Sequence, residues 1–413
     1  MFIHSSPLFQ LIKKFNFMKQ LFIISIFFSC PFLSAQNYVH QVLILNEGPY
    51  GYESPVSVGS YDPSTQIYNE VAVIDSSKFG SDLIIDSTFF YVAADNKILK
   101  YDLDTYELIA QVNLDGVRKL AVHNNYLFVS RGDYDPITWG PMMFNSYVQI
   151  YDKSDLTLVS ELDTVNGPKG STESLIVSED LVYVGINNAF ASVKEGLVGV
   201  INADSLDYIS EFDLGDDGKN PDNMMLYNNN LYTVNNKDWI PGSGSSISQI
   251  NLESGVVVTK NISDAPTGCG TSCLRAGKII YQISQDVKLF QWDPDLAEDE
   301  DNSSEIGSFD NFYELAEDQI NQKFYASSSD YITYGNIEVY DENYNLESTF
   351  TTGISPGTIV FDIRQSLSTE ELENKNNSTK KSVIDILGRE YKAGDLRPAG
   401  IYIVNGQKVY LSK

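Results

Sequence analysis

Few residues in this sequence could carry covalent chemistry. It holds three cysteines and three histidines in 413 residues. Cys30 sits in an apolar N-terminal stretch, which leaves Cys269 and Cys273 within Cys269-Gly270-Thr271-Ser272-Cys273. In an oxidising compartment, two cysteines so close in a Gly-rich segment predict a small disulfide. A metal centre there would need another thiolate or imidazole, and beyond residue 35 only His40 and His123 remain. His123 falls beside an expected hairpin turn and His40 at the chain's entry, so neither is placed as a general base. No nucleophile elbow, metal-binding His pair or phosphate loop occurs. The expectation is a protein without catalytic residues.

Binding chemistry is better represented. Five long segments, Gly48 to Ser57, Gly132 to Ser146, Asn187 to Gly196, Lys237 to Ser246 and Ser328 to Gly335, carry Tyr50, Tyr52, Tyr134, Trp139, Phe144, Phe190, Trp239, Tyr331 and Tyr334. Planar rings supply contact area at low entropic cost, and loops on a rigid scaffold are where ligands bind. The alternative is that these rings cover structural elements beneath them. Asp82, Lys119, Glu173, Asp222 and Glu314 fall in shorter connections predicted to share the same face. Carboxylates there could hold a divalent cation or hydrogen-bond a polar ligand; solvated surface acids are the competing explanation. No cofactor is called for by the sequence itself.

Overall charge narrows the partners. Lys and Arg total 28 against 56 Asp and Glu, a formal charge of −28. Such a field repels phosphate backbones and anionic lipid headgroups, which disfavours nucleic acid and membrane surfaces. The 42% hydrophobic and 12% aromatic content is ample for a sizeable core.

The elements that must position these residues emerge from internal repetition. A strand ending in an aromatic or Ile followed by Asp or Asn recurs as Tyr61-Asp62, Tyr101-Asp102, Tyr151-Asp152, Ile201-Asn202, Ile250-Asn251, Trp292-Asp293 and Tyr340-Asp341, at spacings of 40 to 50 residues. Each copy sits third in a four-strand sentence, clearest from Ser174 to Leu214. Asn-rich turns such as His123-Asn124-Asn125 and Tyr227-Asn228-Asn229-Asn230 read as tight hairpins, because Asn tolerates positive φ. The Asp after each third strand is expected to bond amides two residues on. Seven copies predict an all-β, seven-bladed β-propeller with four-stranded blades over residues 38–362. Its last blade is short: the strand Thr358-Ile359-Val360-Phe361 lacks a partner, which Gln41 to Asn46 would supply, so that strands from both ends close the ring.

The termini read as processing segments. Lys19 precedes the apolar run Leu21 to Phe28, too short to span a bilayer, and Leu33-Ser34-Ala35-Gln36 offers a peptidase site. Residues 1–35 are thus expected to be a signal peptide with its true start at Met18; lipidation at Cys30 is the alternative. Residues 363–379 form a polar linker, followed by a segment at 380–413.

Val42-Leu43-Ile44-Leu45-Asn46-Glu47-Gly48, then Ser60-Tyr61-Asp62-Pro63 and the blade repeats, resemble the secreted YncE-like propellers of the Bacteroidetes, in the group carrying the DUF5074 domain. Some members of that group are surface proteins that capture cobalamin for an outer-membrane transporter. Val383-Ile384-Asp385-Ile386-Leu387-Gly388-Arg389, Leu396-Arg397-Pro398-Ala399-Gly400-Ile401-Tyr402 and Gly406-Gln407-Lys408-Val409 are similar to the C-terminal sorting domain of the type IX secretion system, without its usual upstream Tyr-Pro-Asn-Pro stretch. These resemblances imply a protein secreted or held on the outer face of a Gram-negative bacterium, with the type IX machinery as a partner. The expected function is non-enzymatic capture of a small ligand, a corrinoid or a glycan fragment, on the aromatic loop face. The alternatives are a scaffold docking an outer-membrane transporter and a lactonase-like hydrolase whose carboxylates hold a divalent ion.

Overall fold

A computed structural model describes residues 36–49, 55–238, 242–296, 301–366 and short strands between 383 and 411. Residues 1–35, expected to be a signal peptide, most of the expected linker, Tyr50, Tyr52 and Trp239 lie outside the described residues.

Within the compact unit Val39–Ile363, the repeats form small antiparallel sheets in a propeller arrangement. Four of them are plain four-stranded meanders, beginning with the strands Asp82–Asp86, Val117–His123, Thr172–Ser178 and Pro221–Tyr227. A fifth takes its innermost strand, Pro356–Gln365, from the end of the chain and places it against Asn37–Asn46, Val56–Asp62 and Ile67–Ile74. The stretch from Thr267 to Ile354 is one eight-stranded sheet of two antiparallel halves, opening with Thr267–Arg275 and Glu314–Asp318 and joined by a single parallel pair, Gly270 with Glu314. Among the described residues no α-helix occurs; one 3-10 turn spans Asp216–Gly218.

Local chemistry accounts for each meander. The Asp or Asn after every third strand turns the chain with its own side chain: Asp62 Oδ1 accepts from Ser64 N at 2.8 Å, Asp152 Oδ1 from Ser154 N at 2.8 Å and Asn202 Oδ1 from Ser205 N at 2.8 Å. Hairpins between first and second strands place Asn124, Asn228 and Asn229 at φ of 50°, 47° and 57°, the left-handed conformation that Asn accepts.

Second strands read as unbroken apolar runs because both faces are buried. Phe90 and Val92 face the core shared with the preceding sheet, whereas Tyr91 and Ala93 face the core shared with the next. The same period of two divides Leu43 and Leu45 from Val42 and Ile44, which pack against Tyr325, Ile337 and Val339 and so join the start of the unit to its end. First strands of successive sheets approach one another and surround a central channel. Phe128, fully buried between the third and fourth sheets, tests this packing. Phe128→Ala should cost about 3–5 kcal/mol, read as a lower urea midpoint at unchanged slope.

The C-terminal segment forms its own small sheet, with Val383–Asp385 between Glu390–Tyr391 and Gly400–Val404, and Gln407–Leu411 at the edge.

Candidate functional site

The inner strands all begin at one end of the channel, and their first residues are the charged ones. Asp82 and Glu314 open their strands directly. Arg118 and Lys119, Glu173, and Asp222 sit in register breaks between Val117 and Leu120, Thr172 and Leu175, and Pro221 and Asn223. A bulge frees its extra residue from the ladder and re-aims the side chain. A longer break, between Thr267 and Ser272, does the same for Cys269 and Gly270. These groups surround a cavity of about 980 Å³ at the channel mouth, at the upper end of roughly 300–1,000 Å³ for small-molecule sites.

Seven carboxylic acids and two basic side chains line this cavity. Arg118 donates to Glu173 through both Nε and Nη2, each at 2.9 Å. Burial opposes the guanidinium's charge, but the Glu173 carboxylate more than offsets it and holds Arg118 above its ordinary range. Lys119 Nζ donates to Ser81 O at 2.9 Å and lies 3.6 Å from Asp82 Oδ1, while Asp82 Oδ2 accepts from Leu120 N at 2.7 Å. Both cations are therefore neutralised within the wall.

The other inner acids are not matched in this way. Glu47 accepts a hydrogen bond from the Tyr313 hydroxyl, and Asp222 accepts a long one, 3.4 Å, from Asn236. Burial, then the charge of Glu173, pushes Asp222 up to about 8. Burial likewise lifts Glu314 well above the ordinary carboxylate range. Two glycines make room for these carboxylates: a Cβ on Gly270 would stand 1.7 Å from Glu314 Oε2, and one on Gly357 would stand 1.9 Å from Glu47 Oε1. Among the described residues, no three of the cavity's acids bring oxygens within 4.8 Å of one another. His123, Asp180 and Asp204 do meet that spacing, but at the opposite, largely exposed ends of the strands.

The expected site residues divide into three groups. Tyr134, Phe190, Tyr331, Glu173, Asp222 and Glu314 line the one cavity. Tyr134 leans on Phe190 with ring centroids 6.3 Å apart, and Tyr331 meets Tyr313 edge-on at 5.3 Å. Trp139 and Tyr334 do not line it: Trp139 stacks on the outer side of Tyr134 and is 75% exposed, and Tyr334 is 71% exposed at the start of its strand. The Arg131 guanidinium lies 4.0 Å from the centroid of the Phe144 ring, and a Cβ on Gly116 would stand 2.6 Å from that ring, which covers the third sheet. Tyr50, Tyr52 and Trp239 fall outside the described residues.

The disulfide expectation is overturned. Cys269 and Cys273 are free thiols. They lie in the strand Thr267–Arg275 rather than in a loop, where Cys269 lines the channel cavity and Cys273 packs against the core cluster of Ile280, Leu315 and Phe324. Cys269 opens on the channel water yet is enclosed by protein; burial, then Asp222 and Glu47, pushes its pKa up. It is a protonated thiol at neutral pH and a poor nucleophile.

Arg118, Glu47, Tyr313 and Cys269 are cavity residues that the sequence did not single out as such. Arg118 and Tyr313 adjoin Lys119 and Glu314 in sequence, which was the available signal. Glu47 follows the last residue of its strand and is brought in only when Pro356–Gln365 closes the ring.

No protein-family model and no curated protein matches the chain. Its fold is shared with solved β-propellers. An X-ray structure of a hypothetical selenium-binding protein from Sulfolobus tokodaii aligns with a TM-score of 0.56 and 8% identity, covering 79% of this chain and 94% of that one. Dihydro-heme d1 dehydrogenase NirN in complex with DHE aligns with a TM-score of 0.49 and 15% identity, over 80% of this chain and 77% of that one. At 8% identity the likeness to the Sulfolobus tokodaii protein is one of fold alone.

Proposed function

We propose that this chain is a seven-bladed propeller that captures a small ligand, without changing it covalently, in the cavity at its channel mouth. The cavity carries the proposal: it combines a ligand-sized volume, polar groups converging from different sheets and an aromatic rim. The eight-stranded sheet counts as two blades because its halves share only Gly270 and Glu314 and enclose a core cluster of their own. The protonated Cys269 thiol and the distance of His40 and His123 from the cavity favour binding over catalysis. Corrinoids and glycan fragments are the first ligands to try. The N-terminal apolar run and the C-terminal sorting-like segment support export to the cell surface through the type IX machinery.

A thermal-shift series on the full chain with cyanocobalamin, neutral oligosaccharides and haem tests capture. A probe at 100 times its dissociation constant should add about 2.7 kcal/mol of stability, and Tyr134→Ala should remove the shift. Shifts that survive Tyr134→Ala, Glu314→Gln and Asp222→Asn alike would place binding elsewhere. A second reading, docking of an outer-membrane partner, is favoured by Ile137, Trp139 and Met143, which are 87%, 75% and 81% exposed on one loop. Trp139→Ala separates the two: it should leave small-ligand shifts intact and weaken only docking.

A further inference from the structure

The cavity's charge arrangement specifies more than an opening for a ligand. Its two cations are each consumed by a neighbouring acid, Arg118 by Glu173 and Lys119 by Asp82. Of the five other acids lining the cavity, Asp133 and Asp330 each accept from backbone amides of their own loops; for the remaining three, Glu47, Asp222 and Glu314, no Lys or Arg nitrogen among the described residues comes within 4.0 Å. The Glu314 carboxylate accepts no hydrogen bond from any described residue, although Gly270 leaves it a place on the wall. These three acids reach the cavity from separate sheets, and no three acids here are close enough to share one ion. Above them, Tyr134, Phe190 and Tyr331 offer ring faces, and Phe190 already attracts a cation, with the Arg118 guanidinium 5.7 Å from its centroid.

We propose that the cavity selects an organic cation with two or more amino groups held apart along its length, a polyamine or an oligomer of aminosugars. This rests on the cavity being a capture site. Each ammonium would take one separated carboxylate, and the intervening carbon chain or sugar ring would lie against the aromatic rim. Among the described residues no three of these acids could share one metal ion, whereas a linear polycation can meet them one at a time. A proton balance accompanies the binding. Asp222 faces Glu173, Lys119, Arg118 and Asn236, and Glu314 faces Lys119, Glu47, Asp82 and Asp222. Burial is the main cause that raises both acids, Asp222 to about 8 and Glu314 well above the ordinary carboxylate range. An arriving ammonium favours their ionised forms, so protons leave for solvent as the cation enters, and affinity rises with pH until these acids are ionised or the amine itself loses its proton.

Isothermal titration of the full chain with spermidine and with a glucosamine trimer, each in two neutral buffers of different ionisation enthalpy, tests this. The N-acetylated trimer serves as the neutral counterpart and citrate as the anionic one. The expected result is binding of at least one amine probe with net proton release, at least about tenfold tighter than the acetylated trimer. Which amine responds assigns the source. Asp222→Asn and Glu314→Gln should each weaken binding and reduce the protons released. Equal binding of the acetylated and free trimers, or amine binding without proton release, overturns the proposal. So does silence from both amine probes. If a neutral probe still binds, the capture function stands without cation selection; if nothing binds, including the corrinoid and haem probes, both fall.

Discussion

Glu173→Ala should be among the most damaging single substitutions in the cavity wall. The Glu173 side chain is 5% exposed and its partner Arg118 only 23%, so removing the carboxylate strands a guanidinium in a largely dry setting. Breaking one side of a buried ion pair costs about 3–5 kcal/mol. The lower end is expected here, because Asp222 also faces Arg118 and part of that side chain reaches channel water. Urea denaturation reads the effect as a shifted midpoint. Arg118→Met combined with Glu173→Ala should recover most of the loss, since no charge is then left unpaired. A single-mutant loss below about 1 kcal/mol, in the range of an exposed pair, would contradict the burial of this bridge. Loss of the pair should also disturb the rim, because Arg118 lies against both Phe79 and Phe190.

Stability should fall as pH rises from about 4 to about 8, and Asp222 should be a main cause. Its folded pKa, about 8, stands above the ordinary value of 3.8. Between those values the folded chain holds a proton that the unfolded chain has released. The contribution is complete below the unfolded pKa and is lost as pH climbs through the folded one. For one fully uncoupled group the slope would approach about 1.4 kcal/mol per pH unit; Glu314, Glu47 and Asp82, all raised by burial, share and blur it. Asp222→Asn removes the ionisation while keeping the shape. Melting curves of the two proteins should draw apart as pH rises, with the asparagine variant the more stable above pH 8. Parallel curves across the window would show that Asp222 titrates normally.

The same acids explain why a chain of net charge −28 keeps carboxyls in an enclosed space at all. Charges buried without partners are expensive, and that expense raises Glu314 and pushes Asp222 up to about 8, so that Asp222 keeps its proton at neutrality. A site in that condition is poised to exchange protons for a cation. Gly270 and Gly357 keep it open, because each lies where any side chain would collide with a carboxylate.

Much of the scaffold was legible in the residues themselves. The Tyr-Asp dipeptides announce third strands because a short carboxylate can close the next turn on its own amides, and Asp62, Asp152 and Asn202 do so. Asn124, Asn228 and Asn229 announce hairpins for an equally local reason. The lone strand Thr358 to Phe361 called for a partner, and Asn37–Asn46 provides it. Site membership was only half legible. Glu173, Asp222 and Glu314 could be assigned to one face from their positions in the repeat, and Tyr134, Phe190 and Tyr331 from the loops that carry them. Trp139, Phe144 and Tyr334 obeyed the same rule yet lie outside the cavity, because where a ring on a long loop comes to rest depends on what it packs against.

By itself, then, the sequence determined the hairpins, the turns, the strand alternation and the repeat, all of which depend on interactions within a few residues. Only the tertiary structure decided that Arg118 pairs with Glu173, 55 residues away, that Glu47 meets Tyr313 across 266 residues, and that Cys269 faces a channel instead of Cys273. The register breaks that aim these side chains inward lie at the channel ends of the inner strands, and which side chains meet there depends on strands far apart in the chain.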